Sequence, residues 1–68
     1  MAQQWFRWDN GRVHHALGWE RGEPERRIIQ AVCGDGDRIT HATDWQDDLP
    51  ERACKACVRK LAAAAAKQ

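Results

Sequence analysis

Cys54-Lys55-Ala56-Cys57 places two thiols three residues apart in a chain of only 68 residues, and no other stretch narrows the possible folds as much. A chain this short buries only about 60% of its unfolded surface and is marginal without a staple. The aliphatic residues available for a core are Val13, Leu17, Ile28, Ile29, Val32, Ile39, Leu49, Val58 and Leu61, joined by Phe6 and four tryptophans. A cross-link or a metal is therefore expected to supply what the core lacks. Three cysteines cannot form a complete set of internal disulfides, and the sequence shows no secretory or membrane-spanning segment. The expected setting is a reducing cytoplasm, where paired cysteines serve as metal ligands or redox groups.

Upstream of the pair lie the other candidate donors. Gln3 to Trp8 and Arg12 to Leu17 flank Asn10-Gly11, the dipeptide of a two-residue hairpin turn. That turn sets a register in which Trp8 faces Val13, Arg7 faces His14, Phe6 faces His15 and Trp5 faces Ala16. Opposed residues share a face and faces alternate, so Phe6, Trp8, Val13, His15 and Leu17 look inward while Trp5, Arg7, His14 and Ala16 look outward. His15 is thereby the favoured ligand, able to turn one ring nitrogen to a metal and the other to an acceptor. His14 is the alternative on the solvent side, and His41 a more remote one.

Gly18 to Arg27 mixes breakers and charges and reads as a loop. Arg27 to Cys33 has strand composition; Gly34 to Asp37 turns the chain into a partner strand over Arg38 to Thr43. Cys33-Gly34 thus sits where a strand enters a tight turn, and glycine there lets backbone N–H groups approach the sulfur. Asp35-Gly36-Asp37 lacks the twelve-residue loop and terminal glutamate of a calcium site and reads as a turn.

The last element is a helix expected over Glu51 to Lys67, capped by Asp47 or Asp48 with Pro50 in its first turn. Cys54, Cys57, Val58 and Leu61 fall on one stripe of it. Asp44, Asp47, Asp48 and Glu51 precede it, while Lys55, Arg59, Lys60 and Lys67 lie along it, the order the helix dipole favours. The run Ala62 to Ala66 forms helix readily but has little to pack.

Two thiols at one helical turn, a strand-turn cysteine and a hairpin histidine make up the tetrahedral donor set that structural zinc takes. Thiolates with imidazole select zinc over magnesium or calcium, and iron–sulfur clusters usually need four cysteines. The expected site is one structural Zn²⁺ on His15, Cys33, Cys54 and Cys57.

Trp8 to Leu17 (WDNGRVHHAL), Ala31-Val32-Cys33-Gly34, Trp45 and Cys54-Lys55-Ala56-Cys57 together resemble the small one-domain zinc-finger proteins frequent in actinobacteria and their phages. The resemblance covers residues 5 to 61. It implies the same four ligands, of the Cys3His (CCCH) type, and no particular activity. Lys55 stands where many members carry proline, which leaves room for the helix to begin before the first thiol.

The fold expected is α+β: a single domain over residues 1–68 in which two β-hairpins and a C-terminal helix meet around one zinc in a treble-clef-like finger, with residues 62–68 a frayed helical tail. The function expected is a zinc-stabilised regulatory or interaction module, not an enzyme, because four protein ligands leave no open position for chemistry. Trp5, Arg7, Trp19 and Trp45 are the expected partner contacts. The partner expected is another protein rather than nucleic acid. The formal charge is only +1, and three thiolates plus Zn²⁺ bring it to about zero, without the basic excess of a nucleic-acid binder. The competing readings are a thiol redox switch at Cys54 and Cys57, and a nucleic-acid-binding zinc finger.

Overall fold

A computed structural model describes residues 3–66 of the chain. Strands β1 (Trp5–Trp8), β2 (His14–Arg21), β3 (Ile28–Ala31) and β4 (Gly36–Arg38) are followed by a 3₁₀ turn (Ile39–His41), strand β5 (Ala42–Gln46) and helix α1 (Lys55–Ala66). The strands form one antiparallel sheet in the order β4-β3-β2-β1-β5. The architecture is α+β, as expected, but the two hairpins are parts of one sheet.

That strand order has a geometric consequence. β4 and β5 stand at opposite edges, yet only the 3₁₀ turn joins them. Flat, five strands would set those edges about 19 Å apart at the usual spacing, whereas three residues of 3₁₀ helix advance about 6 Å. The sheet is therefore strongly coiled, with its edges drawn together around the core. Trp5, Phe6, Ala16, Ile29, Ala31 and Cys57 are its buried residues. Phe6 is fully buried and packs edge-on to Trp8, with ring centroids 4.7 Å apart, a burial that contributes about 2–3 kcal/mol.

The β1–β2 register follows the expected pairs Trp5–Ala16, Phe6–His15 and Arg7–His14. The turn differs: Gly11 N–H bonds to the Trp8 carbonyl at 2.8 Å, so the tight turn spans residues 8–11 rather than centring on Asn10-Gly11. Trp8 leaves β2 to pair with Ala42 of β5. The outward assignment of Trp5 is also corrected, because β5 and the coil of the sheet cover it to 4% exposure. Arg7 is engaged rather than free: its guanidinium donates to the Asp44 carboxylate (2.8 and 2.5 Å) and to the Gly11 carbonyl (3.0 Å). Asp44 holds φ +52° at the point where the β1–β5 register shifts, a left-handed conformation that Asp tolerates better than most residues.

Three other expected boundaries move. β2 continues through Gly18 to Arg21, and the loop shrinks to residues 22–27, because Gly18 accommodates a bulge: a Cβ there would lie 2.8 Å from the Gln30 carbonyl oxygen. Trp19 is therefore a strand residue, as is Trp45 in β5. The strand expected over Arg38 to Thr43 is split by the 3₁₀ turn, which carries the chain from β4 across to β5.

The helix begins at Lys55, four residues later than expected and after the first thiol. Its first turn holds no acidic residue, so Asp47 and Asp48 do not cap it and the expected dipole ordering is not realised. Val58 is 41% exposed instead of facing the core, while Leu61 packs against it. Ala62 to Ala66 stay helical and exposed; Lys67 and Gln68 lie outside the described residues.

Candidate metal centre

His15 is the centre on which the site is hung, because its two chain neighbours recruit the segments that carry the cysteines. In β2 the N–H and C=O of His14 and Ala16 point to the edge away from β1. His14 donates to the Arg52 carbonyl (2.8 Å) and accepts from Cys54 N–H (2.7 Å), making a parallel bridge with Ala53. Ala16 accepts from Val32 N–H (2.8 Å), which fixes the turn holding Cys33. That turn closes through Gly34 N–H to the Ala31 carbonyl (2.9 Å), with Gly34 at φ +101°. Glycine adopts this angle without the strain a Cβ would add.

The segment 52–54 is extended against β2, which explains the late helix start. Cys54 is the residue before the helix, and its carbonyl accepts the Val58 N–H at 3.0 Å. The Ala56 and Cys57 N–H groups bond to the Cys54 thiol, so sulfur takes the place that a serine or aspartate oxygen holds at other helix starts. One turn on, Cys57 is fully buried.

The result is a cluster of four donors, His15, Cys33, Cys54 and Cys57, whose ligating atoms all lie within 4.8 Å of one another. His15 Nδ1 is 3.6 Å from Cys33 Sγ and 3.9 Å from Cys57 Sγ. Zinc bonds of about 2.3 Å to sulfur and 2.0 Å to nitrogen, at tetrahedral angles, put donor atoms about 3.5–3.8 Å apart. The donor set thus fits one tetrahedral ion with Nδ1 as the imidazole ligand. His14 and His41 stand outside this cluster: His14 Nε2 donates to the Asp44 carbonyl (3.0 Å), and His41 Nδ1 to the Asp37 carboxylate (3.0 Å).

Proton affinities in the cluster diverge. Burial pushes the Cys57 thiol up to about 11, against the pull of the Ala16 and Cys33 N–H groups. Burial also raises Cys54, but N–H donation from Cys57 and Ala56 and the neighbouring thiols outweigh it, leaving Cys54 below its ordinary value. Burial lowers the His15 pKa, partly countered by Asp35 and reinforced by His14, so the imidazole favours its neutral, ligating form.

Of the expected partner contacts, Trp19 (44% exposed) and Trp45 (41%) present surface. Trp5 is in the core, and Arg7 is held by Asp44. Sequence reasoning missed Asp44, which anchors both Arg7 and His14. It also missed Asp35, which accepts from Trp8 Nε1 at 3.2 Å and acts on His15. Their only sequence signal was acidic character in turn-like stretches.

The chain matches no protein-family model, no curated protein and no solved structure to a significant degree. Among the described residues no helix is long and apolar enough to cross a membrane.

Proposed function

We propose that the chain is a zinc-stapled interaction module: one structural Zn²⁺ on His15, Cys33, Cys54 and Cys57 holds a small surface that docks on another protein in a regulatory role. The convergence of four donors from three separated segments within 4.8 Å carries this reading. Such a set completes the coordination of the ion and leaves no position for a substrate, so the metal serves folding and not catalysis. The cysteine pair at the start of α1 supports a treble-clef-like description of the metal end, in keeping with the actinobacterial and phage zinc-finger resemblance. Exposed Trp19 and Trp45 supply aromatic surface of the kind that anchors protein interfaces.

Native mass spectrometry of the chain isolated from its own cells tests the proposal. The expected result is one zinc per chain and a protein partner that is lost with the metal on chelation. A metal-free chain, or one loaded with zinc but always alone, contradicts it.

A second reading has one observation in its favour, the lowered pKa of Cys54 beside Cys57. In it, peroxide oxidises the two thiolates to a disulfide, is itself reduced to two waters with the uptake of protons, and zinc is released. A mass lower by two hydrogens, coincident with zinc loss under mild peroxide, is the expected signature.

A further inference from the structure

At the other end of β2 from the metal donors, the last rungs of the sheet place charge and apolar surface side by side. Arg21 pairs with Ile28, and Ile28 pairs with Arg38, so one rung across three strands reads Arg–Ile–Arg on a single face. Ile28 is 49% exposed. Trp19, two residues along β2 on the same face, lies under Arg21, whose guanidinium carbon is 5.2 Å from the ring centroid.

This face runs into a cleft of about 430 Å³ between the β2–β3 connection and the corner where β4 becomes the 3₁₀ turn, within the size range of sites that take a ligand group. Pro24, Ile28 and Ile39 give it an apolar lining, and Arg26, Arg27 and Arg38 stand around it. The Ile39 N–H bond to the Arg27 carbonyl (3.1 Å) clamps its two walls together. Arg27 is neutralised by Glu20 at 2.5 Å. Arg26 and Arg38 form no ion pair among the described residues.

We propose that this cleft and the adjoining Trp19–Ile28 face dock a partner protein through an extended acidic segment with interspersed apolar side chains. The proposal deepens the interaction role above and rests on it. Two unpaired guanidiniums call for carboxylates, which arginine binds in bidentate fashion. The isoleucines and proline between them call for aliphatic side chains. Glu25 in the cleft works against a uniformly charged phosphate backbone but leaves room for carboxylates placed singly. That pattern favours a peptide over nucleic acid.

Immobilised zinc-loaded chain, panned in parallel against a random 12-residue peptide library and a random single-stranded DNA pool, tests the proposal. Enriched peptides are expected to be acidic with Leu, Ile or Val between the acids. They should bind R26E/R38E at least about tenfold more weakly, while that variant still carries one zinc. If R26E/R38E fails to load zinc, R26Q/R38Q replaces it with the same expectation. The proposal is overturned if no peptide is enriched, if the enriched peptides are neutral or basic, if the arginine variants bind them as well as the parent does, or if only DNA is recovered. Zinc content read on the same samples separates failure of the docking site from failure of the zinc-stapled fold.

Discussion

The two ends of β2 are ordered by different means. At His14 to Ala16 the strand collects two cysteine-bearing segments by backbone bonds, and these bring together side chains placed to hold one ion: a fully buried thiol, two half-buried thiols and an imidazole. At Trp19 to Arg21 the structure is completed mainly by backbone, through pairing with Ile28 to Gln30, the Ile39–Arg27 clamp and Gly22 at φ +112°, with the Glu20–Arg27 ion pair and Arg21 over Trp19 as surface side-chain contacts. The first end turns its polar side chains inward on one another, and the second keeps its ion pair at the surface and leaves Arg26 and Arg38 without one among the described residues. A small chain can keep an arginine-rich, partly apolar surface exposed when its cohesion comes from a metal elsewhere.

The largest expected effect breaks the first end and asks whether the second survives. Cys57→Ser removes a fully buried donor from the core. Structural zinc contributes on the order of 10–16 kcal/mol of apparent binding free energy, most of which is folding free energy. The variant, like chelated parent protein, should lose zinc, dispersed NMR signals and cooperative unfolding throughout, the Trp19–Ile28 face included. A cleft that stays folded without metal would show the two ends to be independent.

Adjacent histidines sharpen the contrast within the metal end. His15→Ala should weaken zinc binding by more than about a hundredfold, beyond what loss of an outer-sphere partner costs. His14→Ala should keep one zinc per chain and lose about 1 kcal/mol through the bond to Asp44. Competitive titration with a chromophoric chelator measures both.

Acid should act through the same end. The His15 pKa is lowered in the folded chain, chiefly by burial. The stability contributed by its neutral form is therefore complete above the ordinary value of 6.5 and lost as pH falls through the lowered value. Cys57, raised to about 11 by burial, has the opposite sign: taken alone, the folded geometry favours its thiol, a contribution complete below the ordinary value of 9.0 and lost as pH rises through the higher one. Zinc reverses the thiol preference by requiring the thiolate. Melting temperature of the loaded chain should thus be flat above pH 7 and fall steadily towards pH 4.5, with zinc release tracking the fall.

One further effect is confined to the second end. Gly22→Ala puts a Cβ 2.3 Å from the Arg26 carbonyl oxygen at a positive φ; the dihedral strain alone costs about 1–3 kcal/mol, and the backbone must also shift to relieve the contact. Denaturant unfolding should show that loss with zinc stoichiometry unchanged.

The clustering of His15, Cys33, Cys54 and Cys57 was legible because the chemistry is local: the expected pairing of Phe6 with His15 holds although the tight turn lies at residues 8–11, alternation chose His15 over His14, and Cys33-Gly34 and Cys54 to Cys57 have few other uses at such spacing. The coil of the sheet was not legible. Whether residues 38–43 continue one strand or cross to another depends on Ala42 pairing with Trp8 along β1, a contact between segments far apart in the chain. Gly18 reads as a breaker until Gln30 stands against it, and the outward face of Trp5 was lost once β5 covered it. The helix start moved because Arg52 and Cys54 give their backbone groups to His14 in place of the helix, and no periodicity within residues 51–67 records that competition.

X-ray absorption at the zinc edge of purified chain is the most direct test of the central claim. Three sulfur neighbours at about 2.3 Å and one nitrogen at about 2.0 Å, with the nitrogen lost in His15→Ala and retained in His14→Ala, are the expected result. A shell of four sulfurs, a shell dominated by oxygen, or an unchanged nitrogen in His15→Ala would contradict the account.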